Sequence, residues 1–327
     1  MKYLSSLSIL ITCHNKYSFL DSFEKNLEGL MELGPELIIV DDFSTDGSRE
    51  LLKGLAKKTA GINLILNDRN LGSAESRNLA LYVATREFVF FWDIDDFVVL
   101  DELKIMLEEA KAFSADLCKG NYAAASTILN SGNEVAPSRI SQKTIRDQAI
   151  SIVNDMGYWR YLYRREFLHD QDVRFLPTFN DLHLQKFILD DVFFIIQVAS
   201  LNGVFISMGN RPPVYIYSTT RHNRDSWRHF QKQASLFPKS SLICYSHMKG
   251  QPQFSMDIAS SALFLKCSTH MSFLLFSDWI KAVPDFLKLI RTIKMPSQNK
   301  ILLSSLFVTL WKSIKNSISS HIQRIFS

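Results

Sequence analysis

The 327-residue sequence has only four cysteines, Cys13, Cys118, Cys244 and Cys267, and no two of them stand in C-x-x-C spacing. That removes a zinc knuckle and a disulfide framework as organising devices and fits a reduced compartment. No window approaches the ~18 uninterrupted apolar residues of a membrane-spanning helix. The opening MKYLSSLSILITC carries one Lys and a short apolar run that breaks at His14 and Asn15 without a small-residue cleavage site. It reads as a buried first strand rather than a secretory leader. Neither sign of charge dominates, since 37 Lys and Arg against 33 Asp and Glu leave +4. With 46% hydrophobic and 21% charged residues, collagen, coiled coil and wholesale disorder are excluded. The chain shows no internal repeat and no low-complexity segment.

What is present is uneven. Residues 221–327 hold 15 basic and 4 acidic side chains, whereas the first 220 hold 22 and 29. An acidic front and a basic tail bear on partners rather than on fold. Strand and helix signals alternate through the first third. Apolar runs at 7–12, 36–40, 62–66 and 88–92 read as strands, and helical spacings at 18–30, 47–57, 73–85 and 101–113 separate them. Four such repeats with nearly continuous apolar strands predict an α/β fold with a mostly parallel sheet covered by helices on both faces. Ligands in such sheets bind beyond the carboxyl ends of the strands, where three polar clusters fall: Thr12 to Asn15, Asp41 to Asp46 and Asp93 to Asp96. Further on, the signals predict a hairpin over 127–136, strands at 158–163, 204–207 and 214–217, and a helix over 190–201. From about Trp227 the pattern turns helical and basic.

Four constellations carry candidate chemistry. WDIDD, at 92–96, puts three carboxylates within four residues at a strand end. They repel one another at neutral pH and favour a cation or hydrogen-bond donors. Hard oxygen ligands suit Mg²⁺ or Mn²⁺, often shared with substrate phosphates; a solvated, helix-capping loop is the other reading. In VDDFSTDGS, at 40–48, Ser44 and Asp46 can cap the next helix, but a cap does not explain Asp42, which can accept from a base N–H or a ribose hydroxyl. In NLGSAESRN, at 70–78, Arg77 can meet a nucleotide, or pair with Glu75 or an acidic loop. In LDDVFF, at 189–194, two acids open an apolar helix, where capping and general-base work are both open.

Together the stretches SILITCHNKYSFL, ELIIVDDFSTDGS, NLGSAESRNLAL, FVFFWDIDDFVVLDEL and LDDVFF resemble family 2 of the inverting glycosyltransferases, of GT-A fold, over residues 5–220. YWRYLYRREFL looks like the acceptor-side signature of bacterial members. The pattern departs from the family's usual residues at Thr12 and Leu100, each usually Pro, at Phe43, usually Gly, and at Asp190, usually Glu. The resemblance implies that Thr12, Asn15, Asp42 and Arg77 hold the nucleotide and that Asp93 and Asp95 form the D-x-D motif at the ribose and the metal-bound pyrophosphate. It makes Asp191 the catalytic base. A basic loop with Arg221 and Arg224 would meet the pyrophosphate, and His222 is an open candidate for the metal.

The implied organisation is a catalytic domain at 1–226, with a nucleotide-sugar half at 1–113 and an acceptor half at 114–226, followed by a helical basic region at 227–327. The implied cofactor is Mn²⁺ or Mg²⁺. The implied partners are a nucleotide-sugar donor, with UDP-sugar expected, and a glycan or lipid-linked acceptor in surface polysaccharide synthesis. The tail's apolar stripe at Leu303, Leu306, Leu310, Ile314 and Ile318 either packs on the core or lies on anionic lipid. The expected location is cytoplasmic, peripheral on the inner face of the plasma membrane if the tail binds lipid. No nucleic-acid motif accompanies the charge, so no nucleic-acid partner is expected. A non-catalytic nucleotide-sugar-binding module, or a membrane adaptor with a vestigial catalytic domain, remains the alternative.

Overall fold

The computed structural model describes residues 2–125, 157–176, 190–218, 238–256 and 276–293, together with 258–260, 262–263 and 267. The predicted hairpin, the basic loop with Arg221, His222 and Arg224, and the tail beyond 293 lie outside the described residues. The chain divides into two compact units. One holds the described residues up to 125, 157–176 and 203–218, and the other holds 190–202 and the described residues from 238 onward.

The first unit is built on alternating strands and helices: β1 (Leu7–Cys13), α1 (Leu20–Glu32), β2 (Glu36–Asp41), α2 (Ser48–Lys58), β3 (Ile62–Leu66), α3 (Ser73–Val83) and β4 (Phe88–Asp93). Then follow β5 (Phe97–Val98), α4 (Leu100–Ala112), β6 (Leu117–Lys119), β7 (Asn121–Ala124), β8 (Tyr161–Arg164) and α5 (Arg165–Asp170). After α6 (Asp190–Ala199), which belongs to the second unit, β9 (Phe205–Ser207) and β10 (Pro213–Tyr217) return to the first. A seven-stranded sheet runs β3-β2-β1-β4-β8-β6-β9 and a three-stranded sheet runs β5-β10-β7. Strands β1 to β4 are mutually parallel, while β8 pairs antiparallel with both β4 and β6. The larger sheet is therefore mostly parallel and flanked by helices, the α/β fold that the periodicity predicts.

The inner strands are apolar almost throughout because both faces are covered. In β1, Leu7, Ile9, Leu10, Ile11 and Cys13 are all buried. Helix α1 presents Leu20, Phe23, Leu27 and Leu30 inward at helical spacing, and Phe23 meets Trp92 with ring centroids 5.0 Å apart. Each fully buried Leu or Phe stabilises the fold by about 1.5–3 kcal/mol relative to exposure, so these positions fix the register of the strands. Between β1 and β4 the strand order reverses direction. That switch point opens the crevice where α/β folds place ligands.

In the second unit, α6 is buried along its length except at Asp191. Backbone bonding ties its end to the next segment, with Ser255 N–H donating to Ser200 O at 2.7 Å. Residues 238–248 are helical, and α7 (Phe276–Thr292) buries Ala282, Phe286 and Leu289. No helix among the described residues is long and apolar enough to cross a membrane.

Candidate active site

At the carboxyl ends of β1, β2 and β3, short loops are stitched together by side chains from the polar motifs. Asn15 takes a left-handed φ of 53°, which Asn tolerates better than most residues. Its N–H donates to Ser44 Oγ at 3.0 Å, and its Oδ1 accepts from Thr45 N–H at 2.9 Å. Gly47 holds the N-cap position of α2, and Asp46, one residue before it, accepts from the first helical N–H, that of Ser48, at 3.0 Å and from Tyr17 N–H at 3.0 Å. Hydrogen bonds from Ser48 and Tyr17 draw the Asp46 carboxyl below the ordinary carboxylate range, against an opposing push from burial that is the largest single influence. Thr12 lies in register between Val40 on β2 and Asp93 on β4.

The paired acids divide their labour. Asp41 is fully buried, and its Oδ2 accepts from Arg49 Nε at 2.7 Å; Arg49 also donates to the Asn67 carbonyl. Asp42, 3% exposed, accepts from Leu71 N–H at 2.7 Å, Gly72 N–H at 2.8 Å and Asn67 Nδ2 at 2.9 Å. Its carboxylate therefore shapes the turn that opens α3. Gly72, with φ 89°, allows that turn without the clash a Cβ would bring. Phe43, one residue on, also has positive φ, at 59°, and its ring is 40% exposed.

The acid cluster after β4 is the most heavily tethered part of the site. Tyr158 Oη donates to Asp93, 3.0 Å from Oδ1 and 3.1 Å from Oδ2. Arg77, on α3, lies 3.7 Å from Asp93 Oδ1. Its guanidinium is held over the Tyr158 ring at 4.5 Å and the Phe175 ring at 5.4 Å. The acidic loop, one of the partners open to it from sequence, is thus among its contacts. Lys16 Nζ pairs with Asp95 Oδ1 at 3.1 Å. Tyr215 Oη donates to Asp96 Oδ2 at 2.9 Å and accepts from Asp93 N–H at 3.1 Å, while Ser218 N–H donates to Asp96 Oδ1 at 2.7 Å. Burial, then repulsion from Asp93, pushes the Asp95 carboxyl up to about 6. Asp96 is pushed up to about 7, chiefly by burial.

The first unit thus brings Thr12, Asn15, Asp42, Arg77, Asp93 and Asp95 to one set of strand ends. Asp191 belongs to the second unit and is described there by itself. It is the single partly exposed residue of α6, beside buried Asp190, and its Oδ1 accepts from Val192 N–H at 2.7 Å. Sequence reasoning did not single out Lys16, Tyr158 or Tyr215. Lys16 stands within the CHNK stretch after β1, where a cation near a predicted ligand-binding end was a usable signal. The two tyrosines reach the acids from 65 and 122 residues away, and nothing local marks them. Among the described residues, no three His, Cys, Asp or Glu side chains converge closely enough to hold a metal ion.

Comparison with known proteins bears on the family and the fold. The model of the family described as glycosyl transferase family 2 matches residues 8–171. A cholesterol galactosyltransferase from Borreliella burgdorferi is 25% identical over 205 residues, 59% of this chain and 54% of that protein. The succinoglycan biosynthesis protein ExoO of Rhizobium meliloti is 30% identical over 148 residues, 43% of this chain and 42% of that protein. The chain thus spans about half the length of the curated relatives it matches. Among solved structures, residues 1–349 of S. aureus TarS in complex with UDP-GlcNAc superpose with a TM-score of 0.66 at 17% identity. That likeness covers 95% of this chain and 89% of that one, and it concerns the fold.

Proposed function

Because the chain belongs to glycosyl transferase family 2, we propose that it moves a sugar from a nucleotide-diphosphate donor, a UDP-sugar in this reading, to an acceptor hydroxyl. The acceptor is a glycan or lipid-linked saccharide of surface polysaccharide synthesis, and the configuration at the anomeric carbon inverts. The observation that carries this is the tethered acid cluster at the switch point, with Asp93 held between Tyr158 and Arg77 and Asp95 paired with Lys16. A solvated, helix-capping loop does not need two buried tyrosines and two cations gathered on it. The relatives named for cholesterol galactosylation and succinoglycan biosynthesis, and the neighbour that binds UDP-GlcNAc, support the substrate classes.

In this reading Thr12, Asn15 and the loop shaped by Asp42 receive the nucleoside. Arg77, its guanidinium already fixed over two rings, exchanges its partial pairing with Asp93 for phosphate oxygens, a stronger charge-assisted match. Asp93 and Asp95 suit Mg²⁺ or Mn²⁺ as two hard carboxylate donors in one cluster, and a divalent ion would offset the burial that pushes the Asp95 carboxyl up. When bound, such an ion stabilises the charge that develops on the leaving diphosphate. Arg221 and Arg224 would add cationic contacts to the same diphosphate. Asp191 takes the proton from the acceptor hydroxyl as that oxygen attacks the anomeric carbon from the face opposite the leaving group. Its place in the first turn of α6 favours the ionised form it needs.

The test is donor turnover by the full chain with UDP-, GDP- and dTDP-sugars. Asp191→Asn keeps size but cannot accept a proton, so it should bind donor normally and lose transfer by about 10²–10⁴-fold. Asp190→Asn should do less, since Asp190 is buried at the helix start. Near-normal turnover by Asp191→Asn would remove it from the base role, and a product with retained anomeric configuration would overturn the inverting step.

A further inference from the structure

The smaller sheet and the turn before β8 carry a group of rings of which Tyr215 alone is bonded to the acid cluster in the hydrogen bonds described above. On β10, Tyr215 and Tyr217 are two residues apart and so share one face. Tyr122 is the register partner of Tyr215 on β7. Trp159, from the turn before β8, stacks on Tyr215 with centroids 4.4 Å apart and planes 27° from parallel. It also meets Tyr122 at 5.2 Å and Tyr217 at 6.3 Å, and Tyr122 lies 5.9 Å from Tyr217. Arg160 is fixed by a 2.7 Å bond from Nε to Gly120 O and lies 4.5 Å over the Tyr122 ring. Gly157 makes room for the cluster, since a Cβ there would come within 2.7 Å of the Trp159 indole.

Burial grades across the group. Tyr215 is fully buried, Trp159 and Tyr217 are partly buried, and Tyr122 is 43% exposed. An aromatic cluster that rests on the core through Tyr215, Trp159 and Tyr217 and keeps an outer edge in water at Tyr122 has the make-up of a ligand surface. Its inner member is shared with the reaction site: the Tyr215 hydroxyl serves Asp96 and Asp93 while its ring carries Trp159. The rings therefore stand one side chain away from the acids assigned to the donor's diphosphate.

We propose that Tyr122, Trp159 and Tyr217 form a stacking platform for a pyranose ring of the acceptor saccharide. The proposal rests on the glycosyl-transfer reading and names the acceptor side of that site. Transfer requires the acceptor oxygen within about 3–3.5 Å of the anomeric carbon, so the acceptor ring must lie roughly one sugar away from the diphosphate. A pyranose has a face of C–H groups and a rim of hydroxyls. The rings match both, with apolar faces and with two phenol O–H groups and an indole N–H at their edges. An isoprenoid or sterol tail would gain nothing from those polar edges.

The test is saturation-transfer NMR on the full chain with UDP and Mn²⁺ present. The probes are the methyl β-glycosides of glucose, galactose and N-acetylglucosamine, with farnesyl phosphate as the hydrophobic probe. At least one glycoside should receive saturation through its ring C–H protons. Tyr122→Ala and Tyr217→Ala should weaken that binding about 10-fold, a loss of about 1.4 kcal/mol, and Tyr122→Phe should restore most of it. Unliganded melting temperature, and the thermal shift given by UDP, report whether each variant keeps its fold and donor half. The platform is overturned if no glycoside binds, if folded alanine variants bind glycoside as well as the wild type does, or if only farnesyl phosphate binding is lost. The underlying reading fails separately: a wild type that binds glycosides at the platform but no nucleotide sugar is not a transferase, and the platform would stand alone.

Discussion

Phe43 sits at φ 59°, a backbone region that disfavours side chains with a Cβ by about 1–2 kcal/mol. This is the position where the family-2 pattern usually has glycine, and the structure gives the reason. The Arg49 guanidinium, 5.6 Å over the Phe43 ring, offsets part of the strain. Comparing two truncations isolates the backbone term, since both remove the ring. Phe43→Gly should be more stable than Phe43→Ala by about 1 kcal/mol in urea unfolding, and equal stabilities would contradict the strain. Lys16 gives a second prediction at this scale. Its ammonium stands 3.1 Å from Asp95, where it would compete with the divalent ion of the proposed site. Lys16→Met should therefore bind Mn²⁺ more tightly than the wild type in calorimetry without nucleotide; weaker binding would show that Lys16 supports the metal rather than opposing it.

The elements legible in the sequence were those with long apolar periods. The four strands and four helices of the first third were predicted within a few residues of where they lie, because each carries its own hydrophobic pattern. Strands β5 and β7 were not predicted, since two to four residues show no period and their pairing depends on β10, more than 90 residues later in the chain. The same limit applied to the site. The acids after β4 and the bond of Asp46 to the start of α2 were readable from local sequence, but the turn-shaping bonds of Asp42 and the grip of Tyr158 and Tyr215 exist only once distant segments meet. Asn78 shows such a junction at the level of elements. Its side chain on α3 donates to Phe175 O at 2.7 Å and accepts from Phe175 N–H at 2.8 Å, which docks the 171–176 strip beside Arg77. Asn78→Ala should cost about 1–3 kcal/mol for the two lost bonds and lower nucleotide affinity by freeing Arg77. A variant with unchanged stability would show that the strip is held by other contacts.

At the scale of the whole molecule, the acid cluster links stability to pH. Asp95 and Asp96 are raised to about 6 and about 7, so folding favours their protonated forms. The stability they contribute is complete below the ordinary value of 3.8 and is lost as pH climbs through 6 and 7. Without metal, the difference in melting temperature between wild type and Asp96→Asn should therefore widen in favour of the variant from pH 5 to pH 8. A difference independent of pH would contradict the assigned environment.

The central claim is that the tethered acids serve a metal-assisted nucleotide-sugar site, and donor-dependent thermal stabilisation tests it most directly. With Mn²⁺ or Mg²⁺, one nucleotide sugar among UDP-, GDP- and dTDP-sugars at 100-fold its Kd should stabilise the wild type by about 2.7 kcal/mol. EDTA and Asp95→Ala should each abolish the shift while leaving the unliganded fold intact. Full stabilisation in excess EDTA, or undiminished stabilisation of Asp95→Ala, would contradict the account.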